Sequence, residues 1–154
     1  MMFSHPIPIM ARKYTIIPTA AGPFAGLDLA SRAIFGLIWD RWQLSKKTNE
    51  EAGHGYTAPV KTSWAELRYG IPTKRRAFSD EEYNKEIEIS LLYCVLRQSE
   101  IMAETGLCER TVRRCIRDLE AAKIMKIERA GIKGANRYFI LHHVELYFNK
   151  AYET

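Results

Sequence analysis

The chain has 154 residues, 47% of them apolar, and a formal net charge of +5. That is material for one domain with a real core, and a modest basic excess that favours polyanionic partners. Three cysteines, Cys94, Cys108 and Cys115, with no C-x-x-C pair argue against a disulfide framework and a thiolate zinc site, and for reduced thiols.

In chain order, residues 1–13 read as a loose arm within an N-terminal region 1–26. Pro6, Pro8, Arg12 and Lys13 break its apolar character, so it lacks a signal-peptide core, and no stretch reaches the length of a membrane span. A cytoplasmic location is expected. Tyr14 to Pro18 (YTIIP) reads as a short extended segment, and Ala20 to Gly26 as a turn. Leu27 to Trp42 predicts a strong helix. Asp28 is placed to cap its first amides, and Ala30, Ala33, Ile34, Leu37, Ile38 and Trp42 recur at helical spacing to form one buried stripe. Lys46 to Val60 is polar, contains Gly53 and Gly55, and reads as a loop.

Residues 48–90 read as an insertion. Within it Ser63 to Tyr69 predicts a short helix stopped by Gly70 and Pro72, Lys74-Arg75-Arg76 is a basic run, and Ser79 to Lys85 is acidic and suits a helix start. The run SWAELRYGIPTKRRAF faintly echoes SEIMAETGLCERTVRR further on; the preferred reading is an insertion packed beside the first helix.

Residues 93–141 carry the clearest pattern. Tyr93 to Leu96 fits a buried strand, Ser99 to Thr105 a helix, and Gly106 to Cys108 a turn. Glu109 to Ala122 fits a second helix. Met125 to Ala130 and Arg137 to Leu141 are strands joined by a tight connection. Helix, turn, helix and β-hairpin in that order is a winged helix-turn-helix. The expected fold class is mostly α with a small β-hairpin (α+β), in a single domain spanning 1–154.

Within that unit Ile101, Met102 and Thr105 are expected to face inward, Gly106 to take the left-handed turn, and Leu107 to fill the space between the helices. In the second helix Val112, Cys115, Ile116 and Leu119 lie on one side, at i, i+3, i+4 and i+7. Arg110, Thr111, Arg113, Arg114 and Arg117 lie on the other. A helix fits a major groove, and guanidinium forks match phosphate oxygens and the N7/O6 edge of guanine. From Arg110 to Arg137 there are nine basic residues and three acidic ones, a surplus that accounts for the charge of the whole chain. Lys133 and Arg137 near the hairpin tip are expected to meet the backbone or minor groove. Cys108 stands at the helix start, where serine makes a better cap.

With these residues in view, the sequence resembles the N-terminal winged helix-turn-helix domain of the plasmid and conjugative-element replication initiator A family. Phe35, Gly36, Leu37, Asp40, Arg41, Leu44 and Ser45 carry the match in the first block, Leu27 to Ser45. In the second block, Ser99 to Ile140, it rests on Ile101, Met102, LEAAKI (119–124), IER (127–129), Gly131, Asn136 and Arg137. The resemblance implies that the arginines of 109–122 face DNA, and on its wing pattern Asn136 is counted with the DNA-binding set. The chain departs from the family in the length of 48–90, in Ala135 where proline is usual, and in Cys108.

No P-loop, G-x-S-x-G or H-E-x-x-H motif occurs, and the histidines His5, His54, His142 and His143 are scattered, all read as surface residues. Asp80-Glu81-Glu82 suits a helix N-terminus better than a metal. No enzyme activity, cofactor or metal is expected. The expected partner is double-stranded DNA, in a replication-initiator or transcription-regulator role of plasmid, phage or mobile-element type. A homodimer on a two-fold site is a further expectation. Rival expectations are RNA binding, and a protein-interaction module, such as a mobile-element inhibitor, using Trp64, Tyr69 and Phe78 of the insertion.

Overall fold

The computed structural model describes residues 16–52, 55–70, 85–129 and 135–151. A short 3-10 turn, Gly22–Phe24, leads into helix α1, Leu29–Ala52. Strand β1, Thr57–Thr62, helix α2, Trp64–Tyr69, and strand β2, Ile87–Leu92, follow. Then come strand β3, Cys94–Arg97, helices α3, Gln98–Thr105, and α4, Glu109–Ala121, strands β4, Met125–Arg129, and β5, Ala135–Ile140, and helix α5, His142–Ala151. The strands form two antiparallel sheets, β1–β2 and β3–β5–β4. The architecture is α+β, and α1, β3, α3, α4, β4 and β5 follow the winged-helix order with β1–α2–β2 interposed.

The scaffold is α1. Asp28 caps it as its position suggests, its Oδ1 accepting from the Ser31 amide at 2.9 Å. The buried stripe is wider than the sequence spacing suggested, because Phe35 and Trp39 join Ile34, Ile38 and Trp42. The Phe35 ring lies 4.8 Å from Phe24 and 5.7 Å from Phe148, and Trp39 lies 5.5 Å from Trp42 and 4.4 Å from Phe148. Such ring pairs add about 0.5–1.5 kcal/mol each beyond the area they bury. Polar pins complete the attachment. Trp42 Nε1 donates to the Leu92 carbonyl at 3.1 Å, and Arg41 donates to the Val95 carbonyl at 3.0 Å and to Glu100 at 3.2 Å.

The helix-turn-helix packs on this scaffold as its pattern dictates. Gly106 has φ +76 and caps α3. Ile101 is fully buried, and Leu107 packs against the core. Val112, Cys115, Ile116 and Leu119 are the buried face of α4. In the three-stranded sheet Cys94 pairs with Tyr138 and Leu96 with Asn136, and all four point inward.

Several expectations change. Lys46 to Val60 is not a loop: α1 continues to Ala52, and β1 begins at Thr57. Lys46, Lys47, Glu50 and Glu51 are good helix formers on a solvent-facing turn, so their polarity signals exposure and not a break. Lys46 is also held by Glu145 at 2.9 Å. The β content exceeds one hairpin, since β1 and β2 pair along their whole length from Thr57–Leu92 to Thr62–Ile87. Pro59 is tolerated because β1 is an edge strand. Residues 142–151 form a helix, and His143 is half-buried where a surface residue was expected. The arm 1–13 and the 74–76, 79–84 and 131–134 segments lie outside the described residues, as do His5, His54, Phe78 and Lys133.

The insertion docks on the far end of the winged helix. Ser63 accepts from the Glu66 amide at 3.1 Å to start α2, and Gly70 at φ +81 ends it. The Glu66 carboxylate receives Lys126 Nζ at 2.7 Å, Lys123 Nζ at 2.9 Å and the Thr62 hydroxyl at 2.9 Å. Burial pushes its carboxyl up, but hydrogen bonds from Lys126, Lys123 and Thr62 outweigh that and hold it at about 2. His143 fits between Gly70 and the end of α4, its Nε2 2.7 Å from the Lys123 carbonyl. Burial pushes the His143 pKa down, against that carbonyl's opposite effect.

Gly106→Ala places a side chain at positive φ in open space and is expected to cost about 1–2 kcal/mol. Gly70→Ala meets the same backbone cost, and its Cβ also falls 2.7 Å from the His143 ring, so it is expected to cost more in a denaturant titration. Glu66, lowered from 4.5 to about 2, contributes stability that is complete above pH 4.5 and lost as pH falls toward 2, worth about 2–3 kcal/mol. Glu66→Gln is expected to be less stable at pH 6 and to lose less than the parent chain between pH 5 and pH 2.5.

Candidate nucleic-acid interface

Helix α4 leaves its apolar underside on α1 and turns its basic side outward. The helical period that buries Val112, Cys115, Ile116 and Leu119 sets Arg110, Arg113, Arg114 and Arg117 on the opposite arc. Arg110, Arg113 and Arg117 are exposed, and Arg114 and Thr111 are half-buried. The four guanidinium groups therefore share one surface, as the spacing implies.

Their charge environments differ. No carboxylate among the described residues pairs with Arg110 or Arg117. Arg113 is paired with Glu109, one turn earlier on the same helix. An exposed pair of this kind is worth about 0–1 kcal/mol, so a stronger anion replaces Glu109 at little cost. Arg114 is held more firmly, with NH2 2.9 Å from Asp28 at the start of α1 and NH1 2.8 Å from Asp118. The hydrogen bond to Asp28 raises the Arg114 pKa further. The backbone hydrogen bond from Ser31 holds the Asp28 carboxyl below its usual range. One carboxylate thus caps α1 and ties it to α4. The sequence pattern on α4 alone gave no sign of that contact, because the two residues are 86 apart in the chain.

The start of α4 is open. Cys108 adopts an N-cap conformation without a capping side-chain hydrogen bond, as expected for a poor capping residue. Its exposed thiol lies 3.4 Å from the Thr111 hydroxyl, and that hydrogen bond holds the thiol below its usual range. Cys94 and Cys115 are buried, and burial pushes the Cys94 thiol up to about 12. All three cysteines are free.

The wing contributes less than the sequence suggested. Arg137 is on β5, 3.0 Å from Glu128 on the paired β4, with its guanidinium 4.6 Å from the centre of the Tyr93 ring. Arg129 is 3.4 Å from Glu120. Asn136 is only 5% exposed and donates to the Tyr138 hydroxyl at 3.2 Å. The alternation of β5 turns Asn136 into the core with Tyr138 and Ile140, so it is not a surface contact. Lys133 lies outside the described residues.

Beyond the expected set, Arg117 lines an open groove with Lys123 and Lys126, floored by Ala121 and Met125 and edged by Glu66 and Glu120. Lys123 and Lys126 were counted in the basic surplus but not as site residues. Their grouping depends on Glu66 of α2, which the sequence reading set beside the first helix and which instead reaches Lys123 and Lys126 after α4. Among the described residues no group of His, Cys, Asp or Glu is arranged to hold a metal, and no helix is long and apolar enough to cross a membrane.

No family model matches the sequence, and no curated protein does. Among solved structures, the chain is similar to one titled "N-Terminal domain of DNA binding protein", at a TM-score of 0.48 and 12% identity, over 100% of this chain and 97% of that one. It is also similar to one titled "Structure of Rep-DNA complex", with the same TM-score and identity, over 100% of this chain and 98% of that one.

Proposed function

We propose that this protein binds double-stranded DNA, laying α4 in a major groove with β4 and β5 beside it on the backbone. The observation that carries this reading is the pair Arg110 and Arg117, exposed on the second helix of a helix-turn-helix with no carboxylate partner among the described residues. Like charges one turn apart on a helix, such as Arg110 with Arg114 and Arg113 with Arg117, destabilise it slightly, and a polyanion laid along them relieves that repulsion. Here two guanidinium groups on one outward arc are unbalanced, and a third, on Arg113, is released by breaking one weak pair. A major groove admits a helix of this size, and its phosphates and guanine edges match guanidinium forks. Arg114, Thr111, Arg137 and Lys133 complete the proposed contact set, and Asn136 leaves it because it is buried.

The role follows from binding and not from catalysis. The resemblance of 27–45 and 99–140 to the replication initiator A family supports a replication-initiator or transcription-regulator role on mobile DNA, in the cytoplasm.

Fluorescence anisotropy with a labelled duplex, repeated across a salt series, tests the reading. Each phosphate neutralised contributes about one unit to the slope of log affinity against log salt. Arg110→Ala and Arg117→Ala are each expected to reduce that slope by about 1 and to weaken binding several-fold at about 0.1 M salt. A double variant with the parent slope and affinity contradicts the proposal. Preference for structured RNA in competition redirects it to RNA.

A further inference from the structure

Lys123 is the one non-glycine residue with a positive φ among the described residues, at +61. It stands immediately after α4, where glycine or asparagine meets no such strain. A lysine in that conformation persists when its surroundings over-determine it, and such residues cluster at functional sites. The surroundings here do hold it from three sides. Its amide donates to the Glu120 carbonyl at 3.0 Å, its carbonyl lies 2.7 Å from His143 Nε2, and its ammonium lies 2.9 Å from Glu66.

Those contacts aim its charge into the groove at the end of α4. Lys126 reaches the same Glu66 carboxylate at 2.7 Å, and Arg117 lines the same groove from the outward face of α4. An ammonium has three N–H donors, so each lysine keeps two after serving Glu66. Cations outnumber carboxylates in the groove, since Glu120 also pairs with Arg129. The Lys123 side chain is 43% exposed and Glu66 only 14%, so the positive groups present themselves and the negative one lies behind them.

We infer that Arg117, Lys123 and Lys126 form a seat for one backbone phosphate at the junction of recognition helix and wing, and that Glu66 of the insertion gathers the two lysines into it. The ligand is a phosphodiester of the same duplex that α4 engages, so the inference rests on the proposed DNA binding and extends it to a site at the far end of the helix. It also gives the insertion a part in binding, through one carboxylate that never touches the nucleic acid.

The test is the salt series above, with the whole chain and the variants Lys123→Gly and Lys126→Gln. Lys123→Gly removes the charge and the Glu66 contact but relieves the backbone, so its melting temperature is expected to change little while duplex affinity falls several-fold and the salt slope drops by about 1. Lys126→Gln is expected to lower affinity and slope in the same way, and it carries the test should the glycine variant fail to fold. If both variants bind with the parent slope while Arg110→Ala does not, the phosphate seat is wrong and the DNA reading stands. If the parent chain does not bind duplex DNA, both fall together.

Discussion

The burial of α4's underside against α1 is the constraint on which the rest depends. Val112, Cys115, Ile116 and Leu119 have no other place to go, and Ile34, Phe35 and Ile38 form the matching surface within the same core. Each large apolar side chain removed from water contributes about 1.5–3 kcal/mol. Because a helix repeats every 3.6 residues, fixing those four inward fixes the four arginines outward. No charged contact of comparable size opposes that arrangement, since the ion pairs on the outer face are exposed and individually weak. The basic surface is thus a consequence of core packing and not of attraction among its own groups.

Electrostatics then differentiates the surface. Arg110 and Arg117 are unpaired among the described residues, Arg113 is lightly held, and Arg114 is shared between Asp28 and Asp118. Asp28 is the structural hinge of this division. Its one carboxylate satisfies an orphan amide at the start of α1 and holds the Arg114 side chain, an exposed contact that adds to a rotation already set by the core. At the other end of α4, Glu66 plays a comparable role for Lys123 and Lys126 from within the insertion. Acidic residues on this face organise cations at least as much as they cancel them.

Much of this was legible in the sequence where one period governs a stretch. The heptad-like spacing of 109–122 gave the helix and its two faces, Gly106 gave the turn, and Asp28 gave the cap. The signals that went unread were also present. IEISLL, 87–92, alternates over its first residues as a half-buried strand does, but its partner TAPVKT carries a proline and only Ala58 and Val60 as apolar residues on its inner face, too faint an alternation to read. Lys46 to Glu51 lacks apolar residues, so periodicity is silent there even though the helix continues. Contacts between residues distant in the chain left no trace: Arg114 with Asp28, Glu66 with two lysines, and His143 under Lys123. Asn136 misled for a simpler reason, since a polar residue near a hairpin tip reads as exposed until strand register turns it inward.

The most direct measurement of the central claim is an amide chemical-shift titration of the intact protein with a short DNA duplex. The account requires the perturbed amides to cluster at 108–118, with a second group at 123–129 and 135–137, and the exposed residues of β1 and α5 to stay unmoved. Perturbations centred on β1, α2 or α5, with the amides of α4 unchanged at saturating DNA, contradict it.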